Sequence, residues 1–409
     1  MRAEGAAAGA GARPRLLSGR VPHDYEPNAW AARLDALRTA RTKLLDLTGT
    51  NPTRAGLSGP APEALVSLPA AALAAYDPDA RGLRLAREAV AGYYAERARE
   101  SGPERPPRAP APDDIVLTAG TSEAYAHLFR LLCDPGDRVL APRPSYPLFA
   151  PLAALESVEL DTYRLAYDRR WSLDLDSVEA GLRPGTRAVI VVEPNNPTGS
   201  CLTAGERDAL EGLCERHGAA LIADEVFGDF PWLPHTAPLP SLLGERRVPT
   251  FVLSGLSKLC GLPQLKCSWI VAAGPERARR EALEGLEWIA DLVLTVGSPV
   301  MLSLPGLLEE RRPFGRRVAA RIEAARRVLA EAAAGGGLEV LDGDGGWCAV
   351  VRSVHGAGRE LGGLSALERG VVVHPAHFYD LPDDRSAVVS LLTEPAVVRE
   401  ALERLLAAG

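Results

Sequence analysis

Lysine is nearly absent from this 409-residue chain: although Lys and Arg together number 46, only Lys43, Lys258 and Lys266 are lysines. An amine kept inside an apolar segment of a chain that otherwise uses arginine points to a need for the amine itself, since a guanidinium cannot form an imine. No run of 18 or more apolar residues occurs, and the first twenty residues lack the apolar centre of a secretory signal. The expectation is a soluble, cytoplasmic protein without a membrane partner. Long basic stretches are missing too. The formal net charge is −7 and the pI is about 5.7, which argues against nucleic acid as a partner. The six cysteines form no C-x-x-C pair and have no histidines at ligand spacing, so no metal site is expected and the thiols read as reduced.

What is present is ample apolar material, 46% of residues, enough for a packed core divided into two or three domains. Residues 1–20, rich in Gly, Ala and Arg, read as a disordered arm. From about residue 113 to 275, β-branched runs alternate with helical patterns, which predicts a mostly parallel sheet covered on both faces. Seven strands are expected: Ile115–Thr118, Arg138–Ala141, Val158–Asp161, Ala188–Val192, Ala220–Ala223, Thr250–Leu253 and Ser268–Ala272. Thr203 followed by Glu206 predicts a capping box. A helix over Arg316–Ala334 should stop at Gly335-Gly336-Gly337. Beyond it lies a smaller α+β unit, with strands near Leu338–Val340, Cys348–Arg352, Val371–Val373 and Ala387–Leu391 and a closing helix from about Pro395.

In an open parallel sheet, ligands sit beyond the carboxyl ends of the strands. Five segments there carry chemistry. Gly120-Thr121-Ser122 enters a helix, and its free N–H groups suit a phosphate, though an ordinary N-cap would look the same. Tyr146 follows the second strand and either stacks on a flat ring or packs in the core. Asn196 lies in the turn Asn196-Pro197-Thr198-Gly199, where one amide faces a ligand. Asp224-Glu225 leaves an apolar strand, and a buried carboxylate there needs a cation: either a protonated pyridine nitrogen or a nearby arginine. Finally, Ser257-Lys258 leaves a strand through a Ser/Gly turn with Lys266 eight residues on.

This ordered series resembles the class I/II aminotransferases over roughly residues 45 to 405. The resemblance implies an α/β, fold-type-I enzyme dependent on pyridoxal 5′-phosphate (PLP). Residues 21–60 would pack with the small domain, 61–300 would form the PLP-binding large domain, and 301–409 the small domain. Lys258 would hold the cofactor as a Schiff base and shuttle the proton. Asp224 would pair with the pyridine nitrogen, Asn196 with the ring hydroxyl, and Tyr146 would stack on the ring. Gly120, Thr121, Ser122, Ser257 and Lys266 would cradle the phosphate. Tyr76 would reach the phosphate of a partner subunit in a homodimer with shared sites.

Several positions depart from the family pattern. Phe227 stands where a tyrosine usually bonds the ring hydroxyl, which predicts a less acidic Schiff base. Gly255 replaces a frequent serine, and Lys266 a frequent arginine. Val388 occupies the place of the arginine that clamps the substrate carboxylate, leaving Arg352 or Asn51 as substitutes. The expected reaction is amino transfer between an amino acid and a 2-oxo acid. The turn Gly255 to Pro263 also looks like that of aminocyclopropane-carboxylate synthases, so β- or γ-elimination or replacement, with S-adenosylmethionine as one substrate, is the alternative. A non-catalytic PLP-binding sensor is a remote third reading.

Overall fold

The computed structural model describes residues 18, 20–21, 27–58, 77–100, 109–232, 239–354 and 361–406. The expected arm at residues 1–20 and Tyr76 lie almost wholly outside them.

The large domain is built on eight strands: β1 (Ile115–Thr118), β2 (Arg138–Arg143), β3 (Glu159–Asp168), β4 (Arg170–Leu173), β5 (Thr186–Val192), β6 (Ala220–Asp224), β7 (Thr250–Gly255) and β8 (Ser268–Ala273). They lie in the order β1-β8-β7-β6-β5-β2-β3-β4. Only β8 and the edge strand β4 run antiparallel to their neighbours. The seven expected strands are all present. The eighth, β4, is added by a hairpin whose turn uses Arg169 at φ +61, a left-handed position taken here by a non-glycine residue.

Strands β6, β7 and β8 are buried at every residue, as a sheet covered on both faces requires. Because alternate side chains point to opposite faces, Leu221, Ala223 and Val252 meet Val90, Tyr94 and Leu210 from helices Arg84–Glu100 and Ala204–His217. Ile222, Phe251 and Leu253 meet Leu128, Phe129 and Leu286 from helices Thr121–Leu132 and Glu276–Asp291. The capping box forms as expected: Thr203 Oγ1 accepts from Glu206 N, and Glu206 returns a bond to Thr203 N.

The small domain holds β9 (Leu338–Val340), β10 (Cys348–Ser353), β11 (His374–Pro375) and β12 (Ser386–Ser390), an antiparallel sheet in the order β9-β10-β12-β11. One face packs Ala349, Val351 and Val389 against Val318, Ile322 and Leu402 of helices Arg311–Ala334 and Pro395–Leu406, with Leu45, Leu47 and Leu57 in the same core. The other face presents Cys348, Val350 and Val388 to Trp171 of β4 and to Tyr379. The expected strand Val371–Val373 divides: Val371–Val372 pairs in parallel with Leu45–Asp46, and the chain rejoins the small sheet as β11. Tyr379 meets Ser145 beyond β2, Gly345 meets Gly199 beyond β5, and Trp347 meets Phe227 and Lys258 beyond β6 and β7, so the small domain lies against the carboxyl ends of those strands.

Candidate active site

Two groups of opposite sign face each other at that edge. Lys258 sits in the single helical turn Leu256–Leu259 that follows β7. Its amine lies 5.2 Å from the ring centroid of Trp347 and 5.7 Å from that of Phe227. Burial among these rings pushes the amine below its ordinary value, against the opposing pull of Cys348 and Asp224. No carboxylate of the described residues is within ion-pair distance of it. A cation whose deprotonation is favoured this way is half prepared for nucleophilic work.

Asp224 ends β6 and is 9% exposed. Val226 N donates to its Oδ1 at 3.2 Å, and the Tyr125 hydroxyl donates to its Oδ2 at 3.1 Å. Burial raises the carboxyl to about 6, despite those two bonds and the charge of Lys258. The arginine alternative applies to its neighbour. Glu225, fully buried, takes Arg97 at 3.1 Å and also accepts from Ser241 Oγ and Leu242 N. Among the described residues Asp224 has no ion-pair partner, so a cation is still called for at that place.

A second cluster forms around the start of helix Thr121–Leu132. Gly120 is its N-cap in extended backbone and makes no side-chain cap bond, and the N–H groups of Thr121 and Ser122 have no intrahelical partner. Lys266, held at φ +52, brings its amine over this turn: a Cβ at Gly120 would lie 3.5 Å from Lys266 Nζ. Ser257 is half-buried in the neighbouring turn. The glycine at 255 has a local reason. It pairs with Ser268 across β7 and β8, and a Cβ there would collide with Ser268 Oγ.

Asn196 is half-buried in the turn after β5, and its amide oxygen is buried without a partner. Tyr146 is 45% exposed, just beyond β2, where Ser145 N donates to Tyr379 O at 3.1 Å. The substrate residues fare differently. Asn51 Oδ1 is occupied by Thr53 N at 3.0 Å and Thr53 Oγ1 at 2.7 Å. Val388 is buried, paired with Val350 and His374. Arg352 donates from both Nε and Nη2 to Glu339 Oε2, at 3.0 and 2.8 Å, and its guanidinium lies over the Tyr167 ring. It stands at the far end of β10 from Cys348, the residue of that strand that acts on Lys258.

Sequence reasoning missed Tyr125, Trp347 and Cys348. Trp347 left one readable signal, the glycines just before it. Gly345 N donates to Gly199 O at 2.9 Å, and a Cβ at Gly345 would lie 3.0 Å from Pro194, so only a bare backbone can approach the Asn-Pro turn.

A lysine after one parallel strand, a buried acid at the end of its neighbour, and an anion-ready helix start beside a second lysine form an arrangement whose chemistry suits a phosphorylated, cationic ring. The family model for aminotransferase class I and II matches residues 71–405, and the chain belongs to that family. Glutamate-pyruvate aminotransferase AlaA of Escherichia coli (strain K12) is 30% identical over 226 residues, 54% of this chain and 52% of that protein. S-alkyl-thiohydroximate lyase SUR1 of Arabidopsis thaliana is 29% identical over 242 residues, 58% of this chain and 49% of that one. The chain thus spans about half the length of these curated relatives. Among solved structures, a double mutant of Thermus thermophilus aspartate aminotransferase superposes with a TM-score of 0.77 at 23% identity, covering 95% of this chain and 98% of that one.

Proposed function

We propose that this protein is a PLP-dependent aminotransferase that moves an amino group between an amino acid and a 2-oxo acid at Lys258. The observation that carries the reading is the pairing at the sheet edge: a buried Asp224 lacking an ionic partner, opposite a lysine whose burial favours the neutral amine. The residues present fit the cofactor. Asp224 suits a protonated pyridine nitrogen, and Asn196 has an unbonded amide oxygen for the ring hydroxyl. Tyr146 is 45% exposed, and Lys266, whose amine lies over the Gly120 turn, would hold the phosphate together with Thr121, Ser122 and Ser257.

When bound, PLP supplies an electron-withdrawing ring conjugated to the amine-bearing carbon. The chain does the rest. Lys258 Nζ, whose burial favours the neutral form, would take the proton from the substrate α-carbon and return it elsewhere. Asp224, as its carboxylate, would keep the ring nitrogen protonated. Trp347 and Phe227, the rings beside the lysine amine, supply burial that favours its neutral, nucleophilic form. Gly120 leaves room for Lys266 beside the helix start that would hold the phosphate.

Two further parts of the reading concern assembly and place. A homodimer is supported by Trp288, Leu292 and Val293, large apolar side chains exposed at the end of helix Glu276–Asp291. A cytoplasmic site accords with six free cysteines. No helix among the described residues is long and apolar enough to cross a membrane.

Elimination or replacement at the same lysine is the second reading, favoured by the lyase among the relatives and by Val388 where a carboxylate clamp was expected. Mixing PLP-loaded protein with single amino donors, without a 2-oxo acid, separates the two. Conversion of the bound cofactor to its amine form, seen as loss of visible absorbance, supports amino transfer. Release of ammonia and a 2-oxo acid with the absorbance restored supports elimination.

A further inference from the structure

We propose that Tyr125 is a positioning residue for Asp224: its hydroxyl holds the carboxylate in one orientation and in its charged form. This rests on the PLP reading above but reaches beyond it to a side chain with no assigned role. Tyr125 is one turn into helix Thr121–Leu132, the helix whose start forms the phosphate cluster, so one element links both ends of the ring site.

The geometry is specific. The hydroxyl lies 3.1 Å from Asp224 Oδ2, while Val226 N serves Oδ1 at 3.2 Å, so each oxygen has one donor and the carboxylate plane is fixed. Tyr125 is itself 3% exposed, edge-on to Phe149 at 5.3 Å and 78°, and 6.0 Å from Phe129, which leaves its ring one position. Burial pushes the phenol well above its ordinary value, with the nearby Asp224 charge adding to this, so it remains a neutral donor wherever the enzyme works.

The groups acting on Asp224 from the surrounding elements are few. Lys258 from the turn after β7, Tyr125 from its helix and Val226 N favour the charged form, while burial and Glu225 oppose it. Tyr163, from β3, acts on Tyr125. No arginine among them compensates for loss of the hydroxyl. A hydrogen bond to the charged form of an acid lowers its pKa, so removing this one must raise Asp224.

Tyr125→Phe keeps the ring and its packing and tests the idea. In cofactor-free protein, stability falls with pH as buried Asp224 ionises, and the melting temperature levels off once ionisation is complete. Wild type should level off just above pH 6 and Tyr125→Phe about one pH unit higher. In PLP-loaded protein the acidic limb of kcat/KM should move up by a similar amount. In an Asp224→Asn background Tyr125→Phe should shift neither curve. A melting curve lowered equally at every pH, or a shift that persists in the Asp224→Asn background, would overturn the proposal. The cofactor-free measurement stands whether or not PLP is the ligand, so failure of the function reading would appear separately, as absence of PLP binding.

Discussion

The cofactor-free protein should become more stable when its central acid is neutralised. Asp224 titrates at about 6 in the folded chain against 3.8 for a free aspartate. A raised acid pKa means that the folded state is favoured in the protonated form. That advantage is complete below pH 3.8 and lost as pH rises through the interval to 6. Above 6 the empty site carries the full penalty, about 2 pH units or ~3 kcal/mol. In Asp224→Asn the amide oxygen still accepts from Val226 N while the amide NH2 donates to the Tyr125 hydroxyl oxygen, reversing that bond, and the charge is gone, so at pH 8 it should stabilise the cofactor-free chain by up to about 3 kcal/mol. With an unfolding entropy near 2.1 cal/mol/K per residue, this corresponds to a rise in Tm of roughly 3 °C. Thermal scans of stripped protein from pH 4 to 8.5 would show the two forms converging at the acid end. Added PLP should reverse the order at pH 8, because the cofactor stabilises in proportion to its affinity and the Asn variant has lost the partner of the ring nitrogen. If the stripped Asn variant melts at or below wild type at pH 8, the claim that Asp224 is a buried charge awaiting a cation is refuted.

Three other substitutions test separate parts of the site. Phe227→Tyr places a phenol where Phe227 is 6% exposed beside Lys258, and it should lower the pH midpoint of the bound cofactor's visible absorbance by about one pH unit. An unchanged or higher midpoint in spectrophotometric titration would show that the phenol does not reach the ring hydroxyl. Arg352→Ala should leave KM for amino donors within about twofold and cost no more than ~1 kcal/mol of stability, since its partly exposed pair is with Glu339. A tenfold rise in KM would restore Arg352 as the carboxylate site. Gly255→Ala should cost about 1–3 kcal/mol in denaturant unfolding, because its Cβ collides with Ser268 Oγ, with part recovered by adding Ser268→Gly.

Much of this fold is readable because the central strands are short apolar runs, and those buried on both faces need no partner to identify them. Strand β4 escaped for a physical reason. Its four residues alternate in burial, and the turn before it uses Asp168 and Arg169, without the glycine or asparagine that marks a tight hairpin. Local spacing places Lys258, Asp224, Asn196 and Gly120 each near a strand end, and the structure has them there. Spacing was not enough to tell which member of the pair Asp224-Glu225 takes the arginine, because Arg97 arrives from 128 residues away in the chain. Tyr125 was invisible for the same reason, reaching Asp224 across 99 residues. For Arg352 strand alternation gives only the sheet, and tertiary contact is needed to see that Glu339 and Tyr167 meet its guanidinium.

Reduction with borohydride after incubation with PLP tests the central assignment most directly, and three lysines in the chain make the mapping simple. Digestion and mass analysis should find one stable pyridoxyl adduct, on the peptide carrying Lys258, with none in Lys258→Ala. An adduct on Lys43 or Lys266 instead, or no adduct in a correctly folded protein, would contradict the account.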